Sequence, residues 1–136
     1  MADDEGVIMK SKEVFYRGQR LEDLKKLDVR EVAKFIPSRS RRSVLRNFQN
    51  HEAFIKRCET QFNAKKKIRT HLRDIIILPR LVGMTIGIHM GKAFNDIPIT
   101  HRMIGHRLGE LAGTRTKVQH GNPGLGATKS SGVEKK

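Results

Sequence analysis

Two apolar runs parted by a four-residue turn constrain this chain more than any other feature. Residues 81–88 and 93–100 each read as a strand, and between them lie His89, Met90, Gly91 and Lys92. Short apolar runs separated by a glycine-bearing turn mark a β-hairpin. Met90 resists the positive φ that a type I′ turn asks of both central residues. The spacing therefore predicts a type II turn, or a type I turn with a bulge, with Gly91 in the left-handed position. Directly afterwards, Thr100 can cap a helix in which Met103, Ile104 and Leu108 recur on one face. A small β-sheet built on a hairpin, with a following helix, sets the fold class as α+β.

At 136 residues there is room for one modest core and no second. The 28 Lys and Arg stand against 14 Asp and Glu, a formal charge of +14, and a small protein this basic meets a polyanion such as nucleic acid. The surplus is uneven: residues 1–36 hold eight basic and eight acidic groups, whereas residues 37–136 hold twenty and six. The cationic footprint thus begins at Ser38. Cys58 is the only cysteine, so no intramolecular disulfide can form, and a reducing cytoplasm is the expected compartment. The longest apolar run, Ile75, Ile76, Ile77 and Leu78, is too short to cross a bilayer, and the acidic start of the chain is unlike a signal peptide. No membrane partner is expected.

Taken in order, the chain divides into a helical N-terminal extension (1–66), an α+β core (67–118) and an extended basic tail (119–136). Residues 21–27 make a helical turn or two. Asp28, with Glu31 three residues on, makes a capping-box start for a helix carrying Val29, Val32, Ala33 and Ile36, and Pro37 ends it. Ser38 can cap the next helix, crowded by Arg39, Arg41, Arg42 and Arg46 around Val44, Leu45 and Phe48. Asn50 can cap a third, with Phe54, Cys58 and Phe62 on one face. Residues 68–78 should be extended, which puts Arg69, His71 and Arg73 on one side. Gly109 can end the last helix. From Gln119 the chain is glycine-rich without apolar periodicity, as expected of an unfolded or partner-ordered tail.

Chemistry of other kinds finds little support. Gly121, Gly124 and Gly126 follow no strand and precede no Lys-Ser/Thr pair, so they do not make a phosphate-binding loop. His101 and His106 are five apart, off the spacing that aligns two helical metal ligands, and no metal or cofactor is expected. The sparse carboxylates Asp74, Asp96 and Glu110 nominate no acid–base pair, and no serine or cysteine sits in a nucleophile signature. An enzyme is not expected.

The stretches Thr70-His71-Leu72-Arg73-Asp74, His89-Met90-Gly91-Lys92 and Met103-Ile104-Gly105-His106-Arg107-Leu108-Gly109-Glu110, with Pro79, Gly83, Thr114 and Arg115, carry a resemblance. Together they resemble the S-nineteen family of small-ribosomal-subunit proteins over roughly residues 68–116. The helical extension and the tail from His120 to Thr128 are similar to the archaeal and eukaryotic-cytosolic branch, and the compact length leans archaeal. Met90 stands where the family often has Asn, and Leu111 where an aromatic residue is usual.

The resemblance implies a structural constituent of the small subunit, bound to the 3′ major (head) domain of its rRNA beside ribosomal protein thirteen. It also implies a tail near the decoding region and tRNA, and near bridge elements of the large subunit. Residue types and charge nominate Arg39, Arg41, Arg42, Lys67, Arg69, His71, Arg73, Lys92, His106, Arg107, Arg115 and Lys117 for rRNA contact, and the resemblance implies that His120, Gly121, Asn122, Pro123, Gly124 and Lys129 make the tail's site. Aromatic stacking is a weak candidate, because most of the six Phe fit apolar faces. The rival class is a free-standing basic nucleic-acid-binding protein that compacts or regulates DNA.

Overall fold

The computed structural model describes residues 14–117. The N-terminal stretch 1–13 and the tail residues His120, Gly121, Asn122, Pro123, Gly124 and Lys129 lie outside the described residues. A two-stranded hairpin, β1 (Phe15–Tyr16) and β2 (Gln19–Arg20), leads into helices α1 (Leu21–Lys26) and α2 (Val29–Val32). Helices α3 (Ser38–Arg46) and α4 (Phe48–Asn63) follow. A three-stranded sheet of β3 (Ile68–Thr70), β4 (Thr85–His89) and β5 (Phe94–Pro98) comes next, in that spatial order. β3 runs parallel to β4 and β4 antiparallel to β5. The last element, α5, spans Leu108–Leu111.

The local signals hold at the N-terminal side. The Asp28 and Glu31 capping box forms at the start of α2, and a 3₁₀ turn at Ala33–Phe35 finishes it before Ile36 and Pro37 break away into extended backbone. Elsewhere the caps shift. α3 already includes Ser38, with Pro37 as its N-cap, and α4 begins at Phe48 behind Asn47, leaving Asn50 inside the helix. Phe54 and Cys58 are buried as their spacing requires, but Phe62 at the far end of α4 is half exposed. Burial pushes the Cys58 thiol up to about 11, so it packs as an inert apolar group.

The hairpin forms, although Leu81 belongs to a 3₁₀ turn at Pro79–Leu81 and β4 starts only at Thr85. Gly91 takes φ +102. Because Met90 donates its N–H to the Ala93 carbonyl at 2.9 Å, the glycine falls one place earlier in the turn than a type II or bulged type I turn would put it.

The helix expected after the hairpin does not form as one piece. A 3₁₀ turn at His101–Met103 stops at Gly105, whose φ of +87 turns the chain, and α5 is a single turn further on. The reason is tertiary. Gly105 and the residues after it pair with the apolar run at 75–77: Gly105 N–H donates to Ile77 O, Ile77 N–H to His106 O and Leu108 N–H to Ile75 O, all at 2.8–3.0 Å. A Cβ on Gly105 would come within 3.3 Å of Pro37 Cδ and 3.5 Å of the Tyr16 hydroxyl. Only glycine takes that conformation so close to Pro37 without strain. Gly109 likewise lies inside α5 rather than ending it, and a Cβ there would sit 3.1 Å from the Arg73 carbonyl.

A single core runs through both the extension and the sheet. Val29, Ile36, Val44 and Ile55 join Ile76, Ile77, Ile86, Ile88 and Leu108, all buried. Each such side chain is worth roughly 1.5–3 kcal/mol when removed from water. Two polar ties fasten the layers. Lys25 Nζ donates to the Val82 carbonyl at 3.2 Å while Arg80 Nε donates to the Lys25 carbonyl at 3.1 Å. His51, buried on α4, has Nδ1 2.8 Å from the Asn47 carbonyl, and its Nε2 accepts the Ile76 N–H at 3.2 Å. A carbonyl can only accept, so Nδ1 carries the hydrogen and the ring is held neutral. His51→Phe strands the buried Ile76 N–H and should cost about 2 kcal/mol in urea unfolding. His51→Gln, whose side-chain oxygen can accept, should recover part of the loss; equal stability of all three chains would show the tie to be idle.

Candidate nucleic-acid interface

The basic residues of α3 divide by their surroundings. Arg39, Arg42 and Arg46 recur at helical spacing and are exposed. Arg41 turns the other way: its Nε donates to Ala33 O at 3.0 Å and its terminal nitrogen to Lys34 O at 2.8 Å, closing the carbonyl end of the preceding 3₁₀ turn. It is a brace. The opposite edge of α3 is pinned to the loop that carries His106, with Ser40 Oγ donating to Gly105 O at 2.8 Å and Arg107 reaching Ser43 Oγ at 3.4 Å.

Arg107 also faces the exposed Asp74 carboxylate at 3.6 Å. Next to it, His106 Nδ1 and Glu110 Oε2 are 2.7 Å apart. That hydrogen bond from His106 holds the Glu110 carboxyl below the usual glutamate range. Both acids near this end of the surface are thus engaged with a basic partner rather than standing alone against an incoming anion.

Asp74 lines a cleft of about 550 Å³ between α4 and the chain that follows β3, together with Asn47, Asn50, Arg57 and His71. The alternation of Arg69, His71 and Arg73 does not carry through this irregular stretch. Arg69 and His71 are exposed, but the Arg73 guanidinium donates to the carbonyls of His89 at 2.6 Å, Gly109 at 2.9 Å and Ala112. It stitches three separate segments together and has little left to offer a phosphate.

Beyond the cleft, His71 packs against His89 (ring centroids 4.3 Å) and Phe94 (5.2 Å), and Arg69 lies over the Phe94 ring at 5.2 Å. Lys67 is exposed just before β3, Lys92 at the hairpin tip, and Arg115 and Lys117 beyond α5. Of the nominated residues, the structure brings Arg107, His71 and Arg69 into one connected surface with the α3 stripe. Sequence reading nominated none of Phe94, Asn47, Asn50 and Arg57 for this surface. Their signal was the hairpin register, which pairs His89 with Phe94, and the helical period of α4.

Against known proteins, the model of the family described as Ribosomal protein S19 matches residues 41–120, well over half the chain. The chain belongs to that family. The protein named Small ribosomal subunit protein uS19 from Methanocella arvoryzae is 44% identical over 128 residues, 93% of this chain and 89% of the relative. That similarity to an archaeal relative extends past the family match into the helical extension, in keeping with the branch that the extension and the tail resemble. Membership of the S-nineteen family makes this a structural ribosomal protein and not an enzyme. Among the described residues, no group of three or more His, Cys, Asp or Glu could hold a metal ion, and no helix is long and apolar enough to cross a membrane.

Proposed function

We propose that this protein binds the 3′ major, or head, domain of small-subunit rRNA beside ribosomal protein thirteen, and that residues 119–136 reach toward the decoding region, tRNA and the bridge to the large subunit. As a member of the S-nineteen family it is a small-subunit ribosomal protein, rRNA-binding and part of the cytoplasmic ribosome. The observation that carries the RNA reading is the surface running from the α3 stripe through Arg107 and the cleft to His71 and Arg69, in which Asp74 faces Arg107 and Glu110 is bonded to His106. The A-form major groove is too narrow for side-chain readout, so such a surface acts through phosphates, 2′-hydroxyls and RNA shape.

Arg39, Arg42, Lys67, Arg69, His71, Lys92, His106, Arg107, Arg115 and Lys117 serve as direct contacts. Arg41 and Arg73 hold the surface in place, and His120, Gly121, Asn122, Pro123, Gly124 and Lys129 serve the tail's partners. Residues 14–66 of the extension and 67–117 of the core act as one RNA-facing body, since they share one hydrophobic core.

Sedimentation tests the reading. The full chain should co-migrate with small subunits after a high-salt wash. A chain lacking residues 119–136 should do the same while the particle binds tRNA more weakly. Release of the full chain by salt would favour a free-standing nucleic-acid-binding protein. Failure of the shortened chain to enter the subunit would make the tail an assembly element.

A further inference from the structure

The solvent-facing side of the three-stranded sheet has a composition that phosphate binding alone does not use. Along β3, Ile68 and Thr70 are buried and Arg69 is exposed, with His71 exposed just beyond the strand. Alternation along β4 and β5 brings Gly87 and His89, then Phe94 and Asp96, to the same side. The register then makes two rows across the sheet. One is Arg69, Gly87 and Asp96; the other is His89 and Phe94, which His71 joins by ring contact from just beyond β3. Gly87 leaves room for its neighbours, because a Cβ there would lie 2.5 Å from Asp96 Oδ1 and 3.2 Å from Arg69 Cγ.

The second row is a set of π faces in mutual contact, with centroids 4.3 Å apart for His71 and His89, 5.0 Å for His89 and Phe94, and 5.2 Å for His71 and Phe94. None of the three is buried. The row opens at His71 into the cleft of about 550 Å³, a volume in the range of small-molecule sites. The cleft's polar lining of Asn47, Asn50 and Arg57 offers hydrogen-bond donors and acceptors. Cations flank the row, with Arg69 over Phe94, Lys67 before β3 and Lys92 at the hairpin tip, against Asp96 beside the row and Asp74, which faces Arg107, at the cleft. Rings beside cations suit a base with its phosphate, and a base inside a helix has both faces covered by its stacked neighbours.

We infer that the His71, His89 and Phe94 row is a stacking site for one unpaired nucleobase of the bound RNA, with the adjoining cleft taking the neighbouring nucleotide. This rests on the RNA-binding reading above and specifies a site within it. His89 Nδ1 accepts the Gly91 N–H at 3.2 Å, which fixes the ring at the turn and leaves Nε2 to carry the hydrogen of the neutral form. A fixed ring is a better platform than a free one, since less rotamer freedom is lost on contact.

The test uses the full chain and two RNA probes at one salt concentration: a short single strand carrying 2-aminopurine at its centre, and a blunt A-form duplex. The wild-type chain should quench the 2-aminopurine. His71→Ala and Phe94→Leu should each weaken single-strand binding by about 5- to 100-fold, as expected for the loss of one base–aromatic stack. Duplex binding should fall by a much smaller factor than single-strand binding. His71→Tyr, which keeps a π face, should bind the single strand nearly as well as the wild type. His71 is exposed, so its variants fold whatever becomes of Phe94→Leu. The inference is overturned if His71→Ala binds the single strand like the wild type, or if both RNAs are lost in equal proportion. Wild-type binding to duplex alone overturns this inference and spares the RNA reading; wild-type binding to neither RNA overturns both.

Discussion

Replacing Arg73 with methionine should lower the melting temperature of the isolated chain by roughly 12–24 °C, with a loss of about 3 kcal/mol. The guanidinium donates to the carbonyls of His89, Gly109 and Ala112, which belong to the end of β4, to α5 and to the residue after it. Hydrogen bonds from a charged donor contribute about 1.5–3 kcal/mol each, and partial exposure of the site lets water replace some of what is lost. Methionine keeps much of the apolar stem and removes every donor, so the effect isolates the bonds. Arg73→Lys should recover little, because a point-like ammonium does not reproduce the planar fork that spans three acceptors. Thermal unfolding followed by circular dichroism reads the shift. A change under about 4 °C would mean that solvent satisfies the three carbonyls and that Arg73 is free to act as an RNA ligand.

Affinity for a small-subunit rRNA fragment should fall about 10³- to 10⁴-fold between 50 and 200 mM monovalent salt, if six to eight phosphates are neutralised. The count comes from the exposed basic groups: Arg39, Arg42, Lys67, Arg69, Lys92, Arg115 and Lys117 are exposed, and Arg107 is partly so. Each neutralised phosphate releases condensed counterions, and the release is less favourable as bulk salt rises. Arg39→Ala combined with Arg42→Ala should reduce the slope of log affinity against log salt by about two, one for each lost contact. Arg41→Ala, by contrast, should leave the slope unchanged and show itself in melting, because its nitrogens are bonded to carbonyls at the end of the 3₁₀ turn. A flat titration of the wild type, or a full slope in the double variant, would remove the α3 stripe from the interface.

How far the sequence could be read follows from the range of the forces at each place. The hairpin was legible because two runs and a glycine turn are local, and the Asp28 and Glu31 capping box because its partners are three residues apart. The helix after Thr100 was not, although Met103, Ile104 and Leu108 have the right spacing. Its middle residues pair with residues 75–77, some thirty positions earlier, and that pairing outweighs a helical preference. Arg41 and Arg39 look alike in sequence, yet one meets carbonyls and the other solvent. Arg73 misled for a second reason, because strict alternation assumes a regular strand and β3 ends at Thr70. Phe94 has no local signal that sets it apart from the other Phe residues, and only the register beside His89 and its ring contact with His71 put it on the open face.

The closure of residues 105–109 against 73–77 also bears on how the chain is made. Ser40 reaches Gly105, Lys25 reaches Val82, and Ala112 is needed by Arg73, so early and late parts of the polypeptide complete one another. Contacts between distant positions slow folding, since long loops must close before they are rewarded. A nascent chain that has emerged only as far as the hairpin leaves Ile76 and Ile77 without their last neighbours. The ordered body should therefore appear late in synthesis, as a cooperative event once α5 has left the exit tunnel, and until then the apolar run at 75–77 needs a chaperone or its RNA for cover.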